Sequence, residues 1–300
     1  MNHEKRIFAL GFFDGVHLGH QALLRECRRL AGELGCETAA ITFDSHPKTL
    51  FTPQPPLLVN SRADRLRLLK EYGIGHVYSF PVTQEVMSTP WQAFLEQLTE
   101  YGAGGFVCGH DFRFGFRGEG NSEKLARFCR ERGLPCVIVP EQTLGGVRVS
   151  SSHIRELIAG GDMEQAVGFL GHPHILSGTV VPGHQLGRRL GIPTANLRLP
   201  EGVAAPKFGV YACCCRVDGV RYPAVTNVGT RPTVSGSGIT VEPWILDYDG
   251  DLYGREIILE FYKFLRPEQR FPSLEALQAA IRNDAARVRQ YLAGETVKDS

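Results

Sequence analysis

The 300-residue sequence lacks the features that mark membrane, exported or nucleic-acid-binding proteins. No run approaches the ~20 apolar residues that a membrane-spanning helix needs. The first five residues are polar and lead into a strand-like segment, not an apolar signal region. Lys and Arg number 33 against 32 Asp and Glu, so the net charge of +1 provides no bulk attraction to nucleic acid or membrane. We expect a soluble cytoplasmic protein that binds anions only at local sites.

Cysteine chemistry is also restricted. The eight cysteines include no C-x-x-C pair, and three of them are consecutive, Cys213 to Cys215, within a strand-like run. Such a triplet cannot converge on one metal ion. We expect reduced, mostly buried thiols.

The remaining composition is that of an ordinary globular protein, with 43% hydrophobic and 22% charged residues. This excludes a disordered or fibrous chain. The length is about twice that of a typical domain and favours two domains.

The first 172 residues alternate strand-like and helical segments. After the apolar run Ile7 to Phe13, a helical spacing predicts one buried face formed by Leu23, Cys27, Leu30, Ala31 and Leu34. Further strand signals cover residues 38–43, 76–82, 105–112 and 135–139. Strands that alternate with helices predict an α/β domain with a mainly parallel, Rossmann-like sheet.

The pattern changes near His172, where Gly171-His172-Pro173 ends the last short helix. Residues 211–217, 222–228 and 257–265 are strand-rich, and Asp218-Gly219 and Asp249-Gly250 indicate hairpin turns. Residues 273–293 have helical periodicity. We therefore predict domains at 1–172 and 173–300, the second an antiparallel barrel or sandwich with a closing helix.

The most informative segment follows the first predicted strand and reads GFFDGVHLGH, residues 11–20. A helix N-terminus flanked by glycines and by two histidines, His17 and His20, can bind a phosphate chain. Neither G-x-G-x-x-G nor a P-loop is present. A capped turn between a strand and a helix is the simpler alternative. The residues that we expect to contact a nucleotide here are Gly11, Phe13, Asp14, Gly15 and Gly19.

Two later segments fit the same site. GHDFRFG, residues 109–115, ends a predicted strand, where Asp111 could hold a ribose or a base edge. VSSSHIR, residues 149–155, opens a helix with Ser151, Ser152 and Arg155, which could clamp a pyrophosphate. A serine-rich helix start is by itself usually only a cap.

The H-x-G-H string resembles the signature of the nucleotidyltransferase superfamily. Together with the two later segments, it makes the N-terminal half resemble the FMN adenylyltransferase module of prokaryotic FAD synthetases. The resemblance implies catalytic roles for His17, His20 and Arg155. That family usually has Thr where Ser152 stands, and the hydroxyl is kept.

The C-terminal half contains GTVVPG, residues 178–183, and LGRRLGIPTAN, residues 186–196. In an extended segment Thr194 and Asn196 point to the same face and could share one Mg²⁺ with nucleotide phosphates. On its own, P-T-A-N is more typical of a turn that enters a strand. The residues expected to bind the nucleotide are Gly178, Gly183, Gly187, Arg188 and Pro193.

This stretch resembles the ATP-binding signature of riboflavin kinases, and the resemblance continues through residues 209–212, 227–233 and 242–254. It implies that Glu242 is the general base, although a Glu on a strand is usually only solvated. Trp244 stands where the family often has His. The resemblance also implies flavin contacts by Gly209, Tyr211, Asn227, Arg266, Glu268 and Phe271.

Both halves in this order resemble the bacterial riboflavin kinase/FMN adenylyltransferase family. The resemblance implies ATP-dependent phosphorylation of riboflavin to FMN and adenylylation of FMN to FAD, both with Mg²⁺. We expect small-molecule partners, no nucleic acid or membrane, and a monomer or weak oligomer. Two alternatives remain: a non-catalytic flavin or nucleotide sensor, and a nucleotidyltransferase with a single activity.

Overall fold

The computed structural model describes residues 5–182, 191–233 and 236–296. The chain forms two compact units: Met1–Leu58 with Arg62–Ser151, and Val59–Ser61 with Ser152–Ser300. The second unit thus includes helical residues that precede the predicted boundary at residue 172. The division into domains 1–172 and 173–300 stays a prediction.

The first unit contains nine strands and five helices among its described residues. The strands are β1 (Arg6–Leu10), β2 (Glu37–Phe43), β3 (His76–Phe80), β4 (Ala103–Gly109), β5 (Arg113–Phe114), β6 (Gly120–Asn121), β7 (Cys136–Val139), β8 (Thr143–Leu144) and β9 (Val147–Arg148). The helices are α1 (Leu18–Leu34), α2 (Arg62–Glu71), α3 (Gln84–Met87), α4 (Trp91–Glu100) and α5 (Ser122–Glu131).

Five of these strands form a parallel sheet in the order β3-β2-β1-β4-β7. This confirms the predicted α/β class with a parallel sheet. The chain moves outward from β1 to β2 and β3 and then returns to β4 on the other side of β1. The strand order therefore reverses between β1 and β4, and in open α/β sheets ligands bind beside the carboxyl ends of strands at such a point.

Helix α1 packs against this sheet through the predicted face, where Leu23, Cys27, Leu30 and Ala31 are buried. Leu34, predicted on the same face, is 50% exposed, so that part of the prediction is wrong. Leu34 occupies the last position of the helix, and the chain leaves the helix at Gly35 in the left-handed conformation.

The second unit has three helices and six strands among its described residues. They are α6 (Ser151–Gly160), which begins on the last residue of the first unit, α7 (Met163–Leu170), β10 (His174–Thr179), β11 (Leu197–Arg198), β12 (Gly209–Val217), β13 (Val220–Thr233), β14 (Gly236–Ile245), β15 (Glu256–Arg266) and α8 (Leu274–Thr296).

The six strands pair antiparallel in the order β10-β15-β12-β13-β14-β11. The two ends of this order approach each other, and the backbone N–H of Val181 donates to the carbonyl of Asn196 at 2.9 Å. The sheet is therefore a nearly closed barrel, which confirms the predicted antiparallel barrel.

The predicted turn Asp218-Gly219 is a two-residue hairpin between β12 and β13 with positive φ at both residues. Such a turn matches the twist of the strands. The predicted hairpin at Asp249-Gly250 is wrong, because β14 and β15 do not pair with each other. This segment belongs to a longer connection between two strands that are separated in the sheet.

The strands of the barrel present two different faces. Cys213 and Cys215 point to the interior together with Phe261, whereas Cys214 belongs to a cluster formed with α8. Helix α8 covers this outer face with residues that include Val288, which confirms the predicted closing helix. Among the described residues, no helix is long and apolar enough to cross a lipid bilayer.

Candidate active sites

The loop after β1 places the start of α1 at the carboxyl end of that strand. Phe13 and Val16 have positive φ angles of 61° and 42°, and Gly15 between them has a φ of 80°. Left-handed conformations are unfavourable for Phe and especially for the β-branched Val, and such residues cluster at functional sites. This turn also explains why β1 ends at Leu10, before the predicted Phe13.

His17 and His20 come together at the N-terminus of α1. Their rings stack with centroids 3.7 Å apart and an interplanar angle of 17°. His17 caps the helix, and its Nδ1 accepts a hydrogen bond from the backbone N–H of His20 at 3.4 Å. The two side chains therefore form one unit at the positive end of the helix.

The environment of His20 keeps its imidazole neutral. Burial lowers the pKa of His20 well below its ordinary value, and the nearby His17 and Arg65 lower it further. The Nδ1 atom of His20 is shielded from solvent and has no hydrogen-bond partner in the described part of the chain. A neutral imidazole retains one N–H donor, which can stabilise charge on a phosphate.

The glycines of this loop fit closely against its own rings. A Cβ on Gly11 would lie 3.1 Å from the ring of Phe13, and one on Gly19 would lie 3.1 Å from Cε1 of His17. Asp14 and Gly15 are buried in the short turn between them. Small residues at positions 11 and 19 therefore preserve the loop, in addition to leaving room for a phosphate.

Ser151 comes from a distant part of the sequence to this loop. Its hydroxyl donates to the backbone carbonyl of Asp14 at 2.9 Å. Ser152 and Arg155 lie in the second unit, where the Arg155 guanidinium donates to the Ser152 hydroxyl at 3.0 Å. The joint action of Ser152 and Arg155 with the two histidines stays a prediction.

Asp111 follows β4, on the other side of the point where the strand order reverses. Its carboxylate is paired with Arg148 at 2.5 Å, and Arg148 also pairs with Glu141 at 3.1 Å. Arg148 belongs to the small β8–β9 hairpin. The structure thus ties Asp111 into an exposed ion-pair network after the carboxyl end of β4.

In the second unit, strand register brings two predicted residues together. Asn227 of β13 lies directly opposite Glu242 of β14. Opposite residues of neighbouring strands have side chains on the same face. The hydroxyl of Thr240 donates to Oε1 of Glu242 at 3.1 Å and so orients the carboxylate.

The segment that carries Asn196 pairs with the other edge of β14. The backbone N–H of Ala195 donates to the carbonyl of Pro243 at 2.9 Å, and the antiparallel pairing continues into β11. This register places Asn196 beside Glu242, which therefore has Asn196 on one side and Asn227 on the other.

A cavity of about 530 Å³ opens next to this row. Pro193, Thr194 and Asn196 line one side, and the loop with Asp249 and Asp251 lines another. Ala195 lines the cavity as well, and the shared metal site of Thr194 and Asn196 stays a prediction. Both are half-buried, whereas Ala195 between them is buried.

Two predicted flavin residues, Asn227 in the middle of β13 and Glu268 after β15, contact each other. The Asn227 amide donates to Oε1 of Glu268 at 3.2 Å. A Cβ on Gly229 would collide with Oε1 of Glu268, so a glycine at this position leaves room for the carboxylate. Asn227, Glu242 and Glu268 consequently share one region of the outer face.

Arg266 and Phe271 both precede α8, Arg266 as the last residue of β15. The Arg266 guanidinium donates two hydrogen bonds to Asp284, at 3.0 and 2.8 Å, and lies 5.5 Å from the ring centroid of Phe271. Asp284 is buried. This pair fastens the segment after β15 to the closing helix.

Tyr211 and Gly209 lie differently from the other predicted flavin residues. Tyr211 is fully buried in the barrel, and its hydroxyl donates to the carbonyl of Lys207 at 2.5 Å. A Cβ on Gly209 would meet the carbonyl of Arg266, so this glycine permits the close approach of two strands. The structure does not bring Tyr211 to the face that carries Asn227, and its flavin contact stays a prediction.

The remaining predicted nucleotide residues are only partly described. Gly178 lies in β10, where a Cβ would make an ordinary contact with Leu197. Gly183, Gly187 and Arg188 lie outside the described residues.

Sequence reasoning missed three residues at these sites: Arg65, Thr240 and Asp284. Arg65 is fully buried beneath the loop after β1, with its guanidinium 4.3 Å from the ring centroid of Phe12. Arg65 shares a helical face with Leu68 and Leu69, both buried. A charged residue on an otherwise apolar helical face was the sequence signal that could have identified Arg65. The same signal exists for Asp284, which lies near the buried residues Ala285 and Val288 in α8.

Comparisons with known proteins match the two halves separately. A family model described as FAD synthetase matches residues 1–153, and one described as riboflavin kinase matches residues 170–292. The first range includes His17, His20 and Ser152 but ends before Arg155, and the second includes Glu242 and the other predicted kinase residues.

Curated relatives match nearly the whole chain. Bifunctional riboflavin kinase/FMN adenylyltransferases from Listeria monocytogenes and Escherichia coli K12 are 34% and 36% identical, each over 96% of this chain and 93% of the relative. The enzyme of that name from Pseudomonas fluorescens is 36% identical over 97% of this chain and 94% of its own length.

A solved structure supports the same architecture. A crystal structure described as a macrolide-efflux protein from Streptococcus pneumoniae has a TM-score of 0.85 and 29% identity, and the match covers 95% of this chain and 94% of the other. With its two matched halves and its relatives above 30% identity over nearly their full length, the chain belongs to the bifunctional riboflavin kinase/FMN adenylyltransferase family.

Proposed function

We propose that this chain carries out two successive reactions, the ATP-dependent phosphorylation of riboflavin to FMN and the adenylylation of FMN to FAD with release of pyrophosphate. The observation that carries this proposal is the stacked pair of His17 and His20 at the N-terminus of α1 in one unit, and Glu242 between two asparagines beside a cavity in the other. Each reaction has its own site, and the family models match the same two parts of the chain.

In the adenylyl transfer, an oxygen of the FMN phosphate attacks the α-phosphorus of ATP. A bond forms between them, and the bond to the departing pyrophosphate breaks. The FMN phosphate is already ionised, so this step needs no strong base. The start of α1, together with His17 and His20, would stabilise the charge that develops on the phosphate oxygens.

Further groups would hold the substrates of this reaction. Ser151 is placed against the loop by its hydrogen bond to Asp14. We assign Ser152 and Arg155 to the pyrophosphate and Asp111 to the ribose or the base. Since Asp111 is paired with Arg148, ligand binding at Asp111 would have to share or replace this ion pair.

In the kinase reaction, the oxygen of the terminal ribityl hydroxyl attacks the γ-phosphorus of ATP, and Glu242 would accept the proton of that hydroxyl. The new O–P bond forms as the bond to the leaving ADP breaks. The hydrogen bond from Thr240 orients the carboxylate. Asn227 and Glu268, which are hydrogen-bonded to each other, would position the flavin substrate.

The donor set around the cavity fits Mg²⁺ that binds together with ATP. Thr194 and Asn196 offer oxygen ligands, and the carboxylates of Asp249 and Asp251 line the same cavity. No group of three or more His, Cys, Asp or Glu in the described residues could hold a metal. Mg²⁺ usually binds through few protein ligands and the substrate phosphates, whose charge it neutralises when bound.

We assign the adenylyltransferase to residues 1–172 and the kinase to residues 173–300. We further propose that the protein acts in the cytoplasm on small molecules, without nucleic acid or membrane partners, as a monomer or weak oligomer. The balanced net charge of +1 supports this choice of partners.

The direct test incubates the full chain with riboflavin, ATP and Mg²⁺ and separates the flavins by chromatography over time. We expect FMN to form first and FAD to follow. A second incubation that starts from FMN isolates the adenylylation. Flavin binding without turnover would instead indicate a sensor, and FAD formation from FMN without FMN formation from riboflavin would indicate a single nucleotidyltransferase activity.

A further inference from the structure

The buried arginine of α2 is not explained by the roles assigned so far. Arg65 has no measurable solvent exposure. Burial lowers its pKa to about 10, with Arg62 adding to this effect and the carboxylates of Asp14 and Asp44 opposing it. Within the described residues, Arg65 forms no ion pair with a carboxylate. It remains a cation at neutral pH, because its pKa is still well above 7.

The contacts of Arg65 join the ends of two strands. Its Nη2 donates to the carbonyl of Phe43, the last residue of β2, and lies 3.5 Å from the carbonyl of Asp44. Its guanidinium faces the ring of Phe12, in the loop after β1, at 4.3 Å from the ring centroid. Helix α2 also packs against the short turn Asp14–Val16. Arg65 therefore connects β2 to the loop that precedes His17.

Two of the three guanidinium nitrogens have no acceptor. Nε and Nη1 are shielded from solvent and make no hydrogen bond in the described part of the structure. A buried charge with unsatisfied donors is unfavourable, and an apolar side chain of similar length often gives equal or greater stability. Packing alone therefore does not account for an arginine at this position.

We infer that Arg65 is a positioning residue of the adenylyl-transfer site, which holds the Phe12–Val16 loop against β2 and supplies a fixed positive charge beneath it. This inference rests on the proposed FMN adenylylation. Because its side chain is fully buried, Arg65 acts through Phe12, the loop backbone and His20, and does not itself touch the substrate.

The charge of Arg65 has a second effect, on His20. The pKa of His20 is lowered first by burial, then by His17 and then by Arg65, while the carboxylate of Asp14 lies in the adjacent turn. A cation at position 65 thus helps to keep His20 neutral. It also adds to the positive potential at the start of α1, where phosphate groups meet during the reaction.

The central variants are Arg65→Met, which removes the charge at similar length, and Arg65→Lys, which keeps it. Arg62→Met is the matched control, because Arg62 lies exposed on the same helix with a hydrogen bond to Ser79 at 3.3 Å. For Arg65→Met we expect kcat for FMN adenylylation to fall about 10²-fold, a typical effect of losing preorganised stabilisation, with little change in the KM for FMN.

Four further readouts separate positioning from a merely structural role. Arg65→Met should keep the wild-type melting temperature or raise it, and it should keep the wild-type rate of riboflavin phosphorylation. The kcat of Arg65→Lys for FMN adenylylation should be at least tenfold higher than that of Arg65→Met. Nuclear magnetic resonance of ¹⁵N-labelled histidine should show a raised pKa for His20 in Arg65→Met and no change in Arg62→Met.

The inference is overturned if Arg65→Met keeps kcat within threefold of wild type, or if its melting temperature and kinase rate fall together with kcat. An unchanged pKa of His20 in Arg65→Met also contradicts it. If the wild-type protein forms no FAD, the proposed function fails, whereas the His20 titration still tests the effect of Arg65 by itself.

Discussion

The two sites of this chain are built in opposite ways. The first unit places its site in a loop at the end of parallel strands, with backbone strain at Phe13 and Val16 and a buried charge at Arg65. The second unit places its site on one face of antiparallel strands, where register sets Asn227 beside Glu242. Long crossovers separate the partners at the first site, whereas a neighbouring strand supplies them at the second.

This comparison predicts that damage to either site stays local. Because the two reactions use different residues, each activity of the same chain serves as the internal control for the other.

The largest expected effect is that of Glu242→Gln on FMN formation. Removing the carboxylate that accepts the ribityl proton should lower the kinase rate about 10³-fold, within the usual range for a general base. Measured from supplied FMN, FAD formation should remain at the wild-type rate. Glu256→Gln, at an exposed position on β15, is the matched control and should leave both rates unchanged. Loss of both activities in a folded Glu242→Gln protein would contradict the model of two independent sites.

The converse change, His20→Ala, should lower FMN adenylylation by about 10²- to 10³-fold, the usual effect of losing one preorganised donor. Riboflavin phosphorylation should be unaffected. His76→Ala provides the control. His76 is the first residue of β3, an edge strand of the sheet, and it pairs with Glu37 at 2.8 Å. Equal damage to both reactions by His20→Ala would refute the separation of the sites.

A smaller effect is expected for Gly229→Ala. The new Cβ would displace Glu268 and break its hydrogen bond to Asn227, so the KM for riboflavin should rise about tenfold, or ~1.4 kcal/mol. Gly238→Ala in β14 is a suitable control, because no atom lies within 4 Å of its added Cβ. Steady-state kinetics should separate the two variants. An unchanged KM in Gly229→Ala would show that Glu268 does not help to bind the flavin.

The last effect concerns stability in the barrel, with no change expected in either reaction. His174 is fully buried with neither ring nitrogen hydrogen-bonded in the described structure, and burial, then His172, lowers its pKa to about 3. The unfolded chain takes up a proton at His174 below about pH 6.5, whereas the folded chain does so only near pH 3. Stability is therefore lost as the pH falls between these values, by up to ~1.4 kcal/mol per pH unit.

His174→Phe should remove this contribution. Melting temperatures of the wild type and the variant, recorded from pH 7 to pH 4, should diverge with the variant gaining relative stability at low pH. Parallel curves would show that His174 does not titrate in this way.

Sequence patterns predicted the architecture well because they reflect periodicity. The spacing of Leu23, Cys27, Leu30 and Ala31 identified the inner face of α1. The Asp218-Gly219 turn was recognisable because two residues with positive φ favour these residue types.

What could not be predicted depends on contacts between distant segments. Nothing in the residues around Asp249-Gly250 shows that β15 pairs with β12 and not with β14. The hydrogen bonds from Arg266 to Asp284 and from Ser151 to the carbonyl of Asp14 likewise form only when distant segments come together in the fold. Local sequence carries no signal for either pairing partner.

The hairpin at Asp218-Gly219 also bears on how the barrel assembles. Strands β12, β13 and β14 pair with their neighbours in sequence, so closing the loops between them costs little conformational entropy. Strand β10 instead pairs with β15, although the two are the first and last strands of this unit in the sequence. We expect the three-stranded meander to form early and β10 to join late. Asn227 and Glu242 would then already face each other before the barrel closes, so the residue proposed as general base is set in place by the part of the domain that forms first.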